Sequence, residues 1–338
     1  MEAEKSPSPL VSVIVPAYNM ERYVAETLDS IRKSNYPHWE AIVVDDGSKD
    51  ETFERARRHV EGDDRFRVIH QENRGVSAAR NHALRLSQGR YILPVDADDL
   101  ITPDFIARAV EAMEAHPEAK AVTCQGEFFE GRTGRWNLPP FNRSKLALDN
   151  MLSNTSLYRR EEALRVGGYD EEIPAREDWE FWISMLKEEG EVIHLPEVGF
   201  YYRVRVGSRR FSDRKRKAEV VAYLNRKHAD FFERELQGPL YTQRSHSLKI
   251  NKLRNLFISR EVTRCKRGSL RYWISALPRL KEGALKIGEE NFTLQRTKWQ
   301  LRSQKSPLET LAQEQVVGLC RECLLGLWER YNLLLSPR

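Results

Sequence analysis

Cysteine is scarce in this chain: four among 338 residues, at positions 124, 265, 320 and 323. So few thiols make no disulfide framework, and a reducing cytoplasm is the expected setting. Cys320 and Cys323 have the C-x-x-C spacing, but no second pair and no histidine cluster accompanies them, which argues against zinc or thiol-redox chemistry. Long apolar runs are also missing. No stretch approaches the ~18 residues of a membrane-spanning helix. The polar start from Met1 to Pro9, with only about six apolar residues before Pro16, does not read as a secretory signal. Internal repeats and low-complexity tracts are absent too, which sets aside solenoids and fibrous folds.

What remains is the composition of a globular protein, 40% hydrophobic and 31% charged, long enough for one large domain and a smaller one. The net charge of +5 hides a split. Residues 203–338 hold 30 Lys and Arg against 13 Asp and Glu, while residues 1–202 hold 25 against 37. An acidic first part and a basic second part point to two modules with different partners.

The most informative stretch runs from Tyr91 to Leu100. Tyr91 to Leu93 reads as a short buried strand that empties into Asp96, Asp98 and Asp99, and Thr102-Pro103 then reads as the start of a helix. Carboxylates at the carboxyl end of such a strand face the crevice where open α/β sheets bind ligands. Two positions apart, Asp96 and Asp98 let one extended segment aim one carboxylate at an organic hydroxyl and the other at a hard cation. A cation held so sparsely takes its remaining ligands from phosphate and water.

The same design recurs upstream. Leu10 to Val15 is an apolar strand ending at Pro16-Ala17-Tyr18-Asn19, followed by a helical pattern from Glu21 to Lys33. Ala41 to Val44 is a second strand ending in Asp45-Asp46-Gly47-Ser48, with Ser48 and Glu51 spaced as a capping box. Arg67 to Ile69 is a third, leading through Asn73-Arg74-Gly75 into a helix from Val76 to Leu86. The succession β-α-β-α-β-α-β implies a mostly parallel sheet with Asn19, Asp45, Asp46, Asn73, Asp96 and Asp98 on one rim. Further on, a helix from Pro103 to Ala115 and a strand from Ala121 to Cys124 precede about thirty residues without a clear period, which read as loops. Glu161 to Val166 and the segment from Arg176 to about Glu188 are helical, and Val192-Ile193 and Phe200 to Val204 read as short strands.

Taken together these blocks strongly resemble family 2 glycosyltransferases of the GT-A fold. The resemblance rests on Val11-Ser12-Val13-Ile14-Val15-Pro16-Ala17-Tyr18-Asn19, Val43-Val44-Asp45-Asp46-Gly47-Ser48, Asn73-Arg74-Gly75 with Ala78-Ala79-Arg80-Asn81, Asp96-Ala97-Asp98-Asp99, Gly167-Gly168-Tyr169-Asp170-Glu171 and Glu177-Asp178. It covers roughly residues 10–208 and implies an α/β, Rossmann-like GT-A domain there. Outside it, composition and spacing read as a polar tail (1–9) and a basic, mainly helical C-terminal region (209–338). It implies a nucleotide-diphosphate sugar donor, most often a UDP-sugar, with Asp45 accepting from the base and Pro16, Tyr18 and Arg80 lining the same pocket. Asp96 would hold the ribose or the metal's water shell, Asp98 would coordinate Mn2+ or Mg2+ against the diphosphate, and Asp178 would be the general base on the acceptor hydroxyl. A single carboxylate base without a carboxylate nucleophile implies inversion at the anomeric carbon. Where many relatives place a histidine after Tyr202-Arg203, this chain has Arg205, a candidate phosphate contact that cannot ligate a cation.

Trp136 and Glu177 are candidate acceptor contacts, Trp179 reads equally as an acceptor contact or as core, Trp182 reads as core, and His70, His82 and His194 read as packing or surface residues. Asp46 and Asp99 read equally as turn caps or as site residues. The acceptor implied is a saccharide or lipid-linked saccharide in surface polysaccharide synthesis. The basic region, with apolar positions such as Leu324, Leu327, Trp328 and Leu334, suits adsorption to an anionic membrane on its inner face better than nucleic-acid binding, because its aromatics are too scattered to form a reading face. Self-association stays open. So does a second class, a catalytically silent relative that binds nucleotide-sugar or serves as a scaffold.

Overall fold

A computed structural model describes residues 8–205, 214–252, 254–256, 283–287, 290–294 and 301–303. The chain divides by contact into Met1–Ser247 and Leu248–Arg338.

The first unit is built on strands whose two faces are both apolar. In β1 (Val11–Ala17), Val11, Val13 and Val15 enter one core cluster and Ile14 enters the other; in β2 (Trp39–Asp46), Ala41 and Val43 pair with the first and Ile42 and Val44 with the second. Helices on both sides explain why the strands read as continuous hydrophobic runs. α1 (Val24–Arg32) buries Val24, Leu28 and Ile31 at helical spacing in the first cluster, and α3 (Val76–Leu86) buries Ala79, Ala83 and Leu84 in the second. Between them lie α2 (Thr52–His59), β3 (Phe66–Gln71) and β4 (Tyr91–Pro94). β3, β2, β1 and β4 are parallel neighbours in that order, as expected for a mostly parallel sheet.

Beyond β4 the sheet continues through β8 (Leu157–Arg159), β6 (Ala119–Glu130), β9 (Glu191–Val204) and β5 (Leu100–Ile101), with β7 (Gly134–Trp136) paired to β6. β8 is antiparallel to both neighbours, while β6 and β9 are parallel. The remaining helices of this stretch are α4 (Phe105–Ala115), α5 (Arg143–Leu146), α6 (Arg160–Arg165) and α7 (Glu177–Leu186). Several sequence expectations change here. β6 runs to Glu130, and the supposed loops after it contain β7, α5 and β8. The two short strands near 192 and 200 are one strand whose register shifts between Leu195 and Val198, where Pro196 has no N–H to give the ladder. The Ser48 capping box does not form: α2 starts at Thr52, and Ser48 Oγ accepts instead from the Asn19 backbone N–H at 2.9 Å. α4 begins at Phe105, with the Thr102 hydroxyl donating to Asp104 at 2.7 Å.

The boundary expected at 208/209 is also displaced. α8 (Lys217–Lys227) and α9 (Ala229–Leu236) belong to the first unit, with Val220, Val221, Leu224, Phe231, Phe232, Leu236 and Leu240 buried in the second core cluster. A polar tie reinforces them. The fully buried Glu180 carboxylate on α7 accepts from His228, between α8 and α9, at 2.8 Å and from Lys227 at 2.9 Å. Within the second unit, β10 (Gly283–Ile287), β11 (Glu290–Leu294) and β12 (Leu301–Ser303) form an antiparallel three-stranded sheet, where a mainly helical region was expected. The apolar stretch from Leu319 to Leu335, the Cys320/Cys323 pair, Cys265 and residues 209–213 of the basic run lie outside the described residues.

Candidate active site

Parallel strands end together, so the loops after β1, β2, β3 and β4 meet at one rim, and they are tied to one another. Asn19, left-handed at φ 54°, accepts from the Lys49 N–H at 2.8 Å while its own N–H donates to Ser48. Asp46 accepts from the backbone N–H groups of Arg74 and Gly75 at 2.9 and 2.8 Å and from Gln71, so its work is to hold the Asn73-Arg74-Gly75 turn. Gly47 has φ 69°, and a Cβ there would stand 2.7 Å from the Asn73 backbone nitrogen; only glycine lets these two loops approach so closely.

Asp45 is 1% exposed at the end of β2. Its Oδ2 takes a bond of 2.7 Å from His70 Nδ1 and one of 3.3 Å from the Ser48 N–H, whereas its Oδ1 is buried with no hydrogen-bond partner. An unsatisfied buried carboxylate oxygen is costly and marks a place where a donor can bind. Pro16 is buried in β1 and Tyr18 stands exposed just after that strand.

Arg80 is the internal counter-charge. Almost wholly buried on α3, it donates to Asp96 Oδ1 at 2.7 Å and to Glu177 Oε1 at 3.1 Å, with its guanidinium 5.2 Å from the Tyr169 ring centre. Burial alone would lower its pKa; Asp96 and then Glu177 reverse that and hold it charged. The next residue, Asn81, donates to the Tyr169 carbonyl and Glu171 and accepts from the Tyr169 N–H at 2.8 Å, which pins the Gly167–Glu171 block to α3. Two motifs ninety residues apart thus meet because adjacent side chains on one helix hold them.

Asp98 meets Arg205: Nε donates to Oδ2 at 2.6 Å. Burial and the Asp96 charge push the Asp98 carboxyl up, against the pull of Arg205. Asp99 is buried and is pushed well above the usual carboxylate range by that burial, then by Asp98 and Asp96; it accepts from the Arg203 N–H at 2.9 Å. Arg203 itself is buried. It donates to the Asp98 carbonyl at 2.7 Å, ion-pairs with Glu26 and Glu130, and lies over Tyr23 and Phe129.

Asp178 sits in the first turn of α7, a favourable place for a negative charge. The residue before the helix pair, Arg176, is left-handed at φ 62°, a strained conformation of the kind found at functional sites. Asp178 Oδ2 accepts from Asn150 at 2.8 Å. Burial, and then the adjacent Glu177, push its carboxyl up to about 6.

The structure therefore brings Arg80, Asp96, Asp98, Glu177 and Asp178 into bonded or neighbouring positions, while Asp45 stands at the end of β2 with His70 and Ser48 as its partners. Trp179 is different. Of its two readings, acceptor contact and core, the second holds: it is 1% exposed, donates to the Leu146 carbonyl, and is flanked by Arg176 and Arg244. Trp182 is core, as read. Trp136 spends its ring on Phe128, stacked at 5.3 Å, and on the edges of Phe200 and Tyr202. His70, read as packing or surface, is instead a partner of Asp45; the signal was its register opposite Asp45 at the ends of β3 and β2. Arg203, Asn150 and Asn154, which donates to Asp96 at 3.2 Å, were also missed. No group of three or more His, Cys, Asp or Glu side chains among the described residues forms a ready-made metal cage.

The family model for "Glycosyl transferase family 2" matches residues 12–168. TuaG of Bacillus subtilis, named for teichuronic acid biosynthesis, is 33% identical over 189 residues, 53% of this chain and 73% of that protein. The chain belongs to glycosyl transferase family 2. Another relative of this glycosyltransferase, WcaA of Escherichia coli, named for colanic acid biosynthesis, is 29% identical over 67% of this chain and 84% of its own length. Of other curated relatives the chain spans between 24% and 61% of the length. Staphylococcus aureus TarS, residues 1–349 in complex with UDP-GlcNAc, superposes with a TM-score of 0.58 at 24% identity over 79% of each chain. The mannosyltransferase PcManGT of Pyrobaculum calidifontis, in complex with GDP-Man and Mn2+, gives 0.56 at 24% identity over 80% of this chain and 78% of its own. These likenesses establish the GT-A fold of the glycosyltransferase.

Proposed function

We propose that this family 2 glycosyltransferase moves a sugar, with inversion, from a nucleotide-diphosphate donor to a hydroxyl of a saccharide or lipid-linked saccharide in surface polysaccharide synthesis. The observation that carries the reading is the division of labour among the carboxylates. Asp45 keeps one buried oxygen unsatisfied, as a base N–H requires. Asp178, pushed up to about 6, is a stronger base than an ordinary carboxylate yet ionised at neutral pH. Glu177, the other carboxylate beside it, is committed to Arg80, which leaves it unsuited to attack an anomeric carbon. The names of TuaG and WcaA support the polysaccharide setting.

A divalent cation fits the rim. Arg80 and Asn154 both reach Asp96 Oδ1, and Arg205 reaches Asp98 Oδ2, so the second oxygen of each carboxylate lies outside those bonds. Hard carboxylate oxygens suit Mg2+ or Mn2+. Asp98 would hold the ion, with Asp96 toward its water shell or the ribose. When bound, the ion neutralises charge on the departing diphosphate. The chain's own part is to present Asp45 to the nucleoside, to hold Asp96 in place through the buried Arg80, to keep the D-x-D turn rigid through Arg203, and to take the acceptor proton at Asp178. Arg205, once off Asp98, has a fork matched to phosphate oxygens.

Its test is a panel of nucleotide-sugars assayed for hydrolysis and transfer with Mn2+, followed by NMR of the product's anomeric configuration. Inverted configuration is expected; retention would reject the single-displacement reading. The Arg205–Asp98 bond also favours a second reading, a silent nucleotide-sugar binder, which predicts binding without turnover under every metal condition.

A further inference from the structure

The fold leaves the base of the donor open, since one structural neighbour carries a uridine nucleotide and another a guanosine nucleotide. Asp45 narrows it. A carboxylate with both oxygens available matches the two adjacent donors of guanine, N1–H and the N2 amino group. Here the two lone-pair positions of Oδ2 are filled, one by His70 Nδ1 at 2.7 Å and one by the Ser48 N–H at 3.3 Å. Oδ1 alone remains, buried and without a partner.

His70 is not there by accident of packing. It stands opposite Asp45 in the β2–β3 register, and its ring meets the edge of Phe53 at 5.5 Å, which fixes its plane while half of the side chain stays exposed. At 2.7 Å the imidazole Nδ1 keeps Oδ2 out of reach of a second ligand donor.

We propose that His70 is a positioning residue that sets base specificity, by reducing Asp45 to one free acceptor and so selecting a base with a single N–H between carbonyls, the uracil edge. This rests on the donor-site reading above and names the base for it. Uracil presents N3–H to Oδ1 and leaves no unpaired donor. Guanine leaves one amino N–H desolvated and unmatched, and adenine and cytosine turn a ring-nitrogen lone pair toward the carboxylate. Sites built around a specific hydrogen bond reject analogues that lack it, or that bury an unmatched group, by large factors.

The test is calorimetric binding of UDP, GDP, CDP and ADP, each with Mn2+, to the full chain and to two variants. The wild type binds UDP at least about tenfold more tightly than GDP. His70→Ala frees Oδ2 and narrows the UDP-to-GDP ratio about tenfold, mainly through tighter GDP, whereas His70→Asn keeps an N–H near the Nδ1 position and holds the ratio. A merely structural role for His70 would weaken all four nucleotides together. Wild-type preference for GDP, or a ratio that His70→Ala leaves unmoved, overturns the inference while sparing the donor reading. Failure of every nucleotide to bind overturns both.

Discussion

Arg205 Nε stands 2.6 Å from Asp98 Oδ2, so the second carboxylate of the D-x-D carries a guanidinium as its counter-charge. The guanidinium is held on its other side by Tyr23, 5.5 Å to the ring centre, and by Met20 Sδ at 3.3 Å. A cation reaching Asp98 competes with that bond, and the displaced guanidinium becomes available to the diphosphate. Arg205→Ala should therefore bind Mn2+ more tightly in the absence of nucleotide, by about tenfold for a charge-assisted bond removed. The same variant should bind nucleoside diphosphate more weakly without metal. Titration of Mn2+ by electron paramagnetic resonance reads the first effect and calorimetry the second. Unchanged Mn2+ affinity would show that Arg205 and the ion do not compete. Asp98→Asn should lose transfer and metal-dependent nucleotide binding with little change in thermal stability.

Asp178 gives the pH dependence. A base acts only when ionised, and its carboxyl stands at about 6. kcat/KM should rise with pH through about 6 and level off above it, and Asp178→Asn should remove that rise along with at least about a hundredfold of transfer. Donor binding should change little. For stability the sign is opposite: a carboxyl raised from 3.8 to about 6 holds its proton more tightly folded than unfolded, so its contribution is full below 3.8 and is lost as pH rises through about 6. An Asp178→Asn protein should thus gain stability relative to wild type at neutral pH, seen as a higher Tm. A flat rate profile between pH 5 and 7 would remove Asp178 as the base.

Arg203 clasps the acidic turn from below. It reaches the Asp98 carbonyl through Nε and Asp99 through its backbone N–H, and its guanidinium pairs with Glu26 and Glu130. Lysine keeps the charge but loses the planar fork and its stacking on Tyr23 and Phe129. Arg203→Lys should lower stability by about 1–3 kcal/mol through the unmade bonds at a buried site. It should also raise the donor KM more than it lowers kcat, because the turn that presents Asp98 is loosened while Asp178 is untouched. Steady-state kinetics with paired melting curves separate the two effects.

The parts of this chain that were legible in its sequence share a physical cause. Strands buried on both faces show as unbroken apolar runs, and polar residues at their ends are forced to one rim by the parallel arrangement, so Asp45, Asp96 and Asp98 could be placed from spacing alone. Features set by partners distant in sequence were not legible. His70 gains its role only from the register that puts it beside Asp45. Trp179 shares the segment of Asp178 yet turns inward, because one face of α7 fills the second core cluster. Arg203 draws its role from Glu26 and Glu130, and neither spacing carries a motif. The boundary at 208 failed for a related reason: a basic run ends the apolar pattern, but the helices after it still pack back on the sheet unit.

That packing decides how the C-terminal region can be tested. Val220, Val221, Leu224, Phe231, Phe232, Leu236 and Leu240 are buried, and each such side chain is worth roughly 1.5–3 kcal/mol of transfer free energy. Seven of them together amount to roughly 10–20 kcal/mol, as large as the roughly 5–15 kcal/mol by which a domain is stable. Removing them would also strip Glu180 of His228 and Lys227, leaving a buried carboxylate uncompensated on the helix that carries Asp178. A chain ending at Arg210 should therefore fail to fold, whereas one ending at Ser247 should fold and bind nucleotide. The second truncation is the useful one for membrane adsorption. Residues after Ser247 carry much of the chain's excess positive charge, and attraction to anionic lipid amounts to roughly 1 kcal/mol per basic side chain near the surface. The full chain should sediment with anionic vesicles at low salt, release as salt shortens the screening length, and ignore neutral vesicles. The chain ending at Ser247 should bind anionic vesicles far more weakly with its nucleotide affinity intact. Equal vesicle binding by both would move the membrane contact onto the sheet unit, and no binding by either would favour a soluble acceptor over a lipid-linked one.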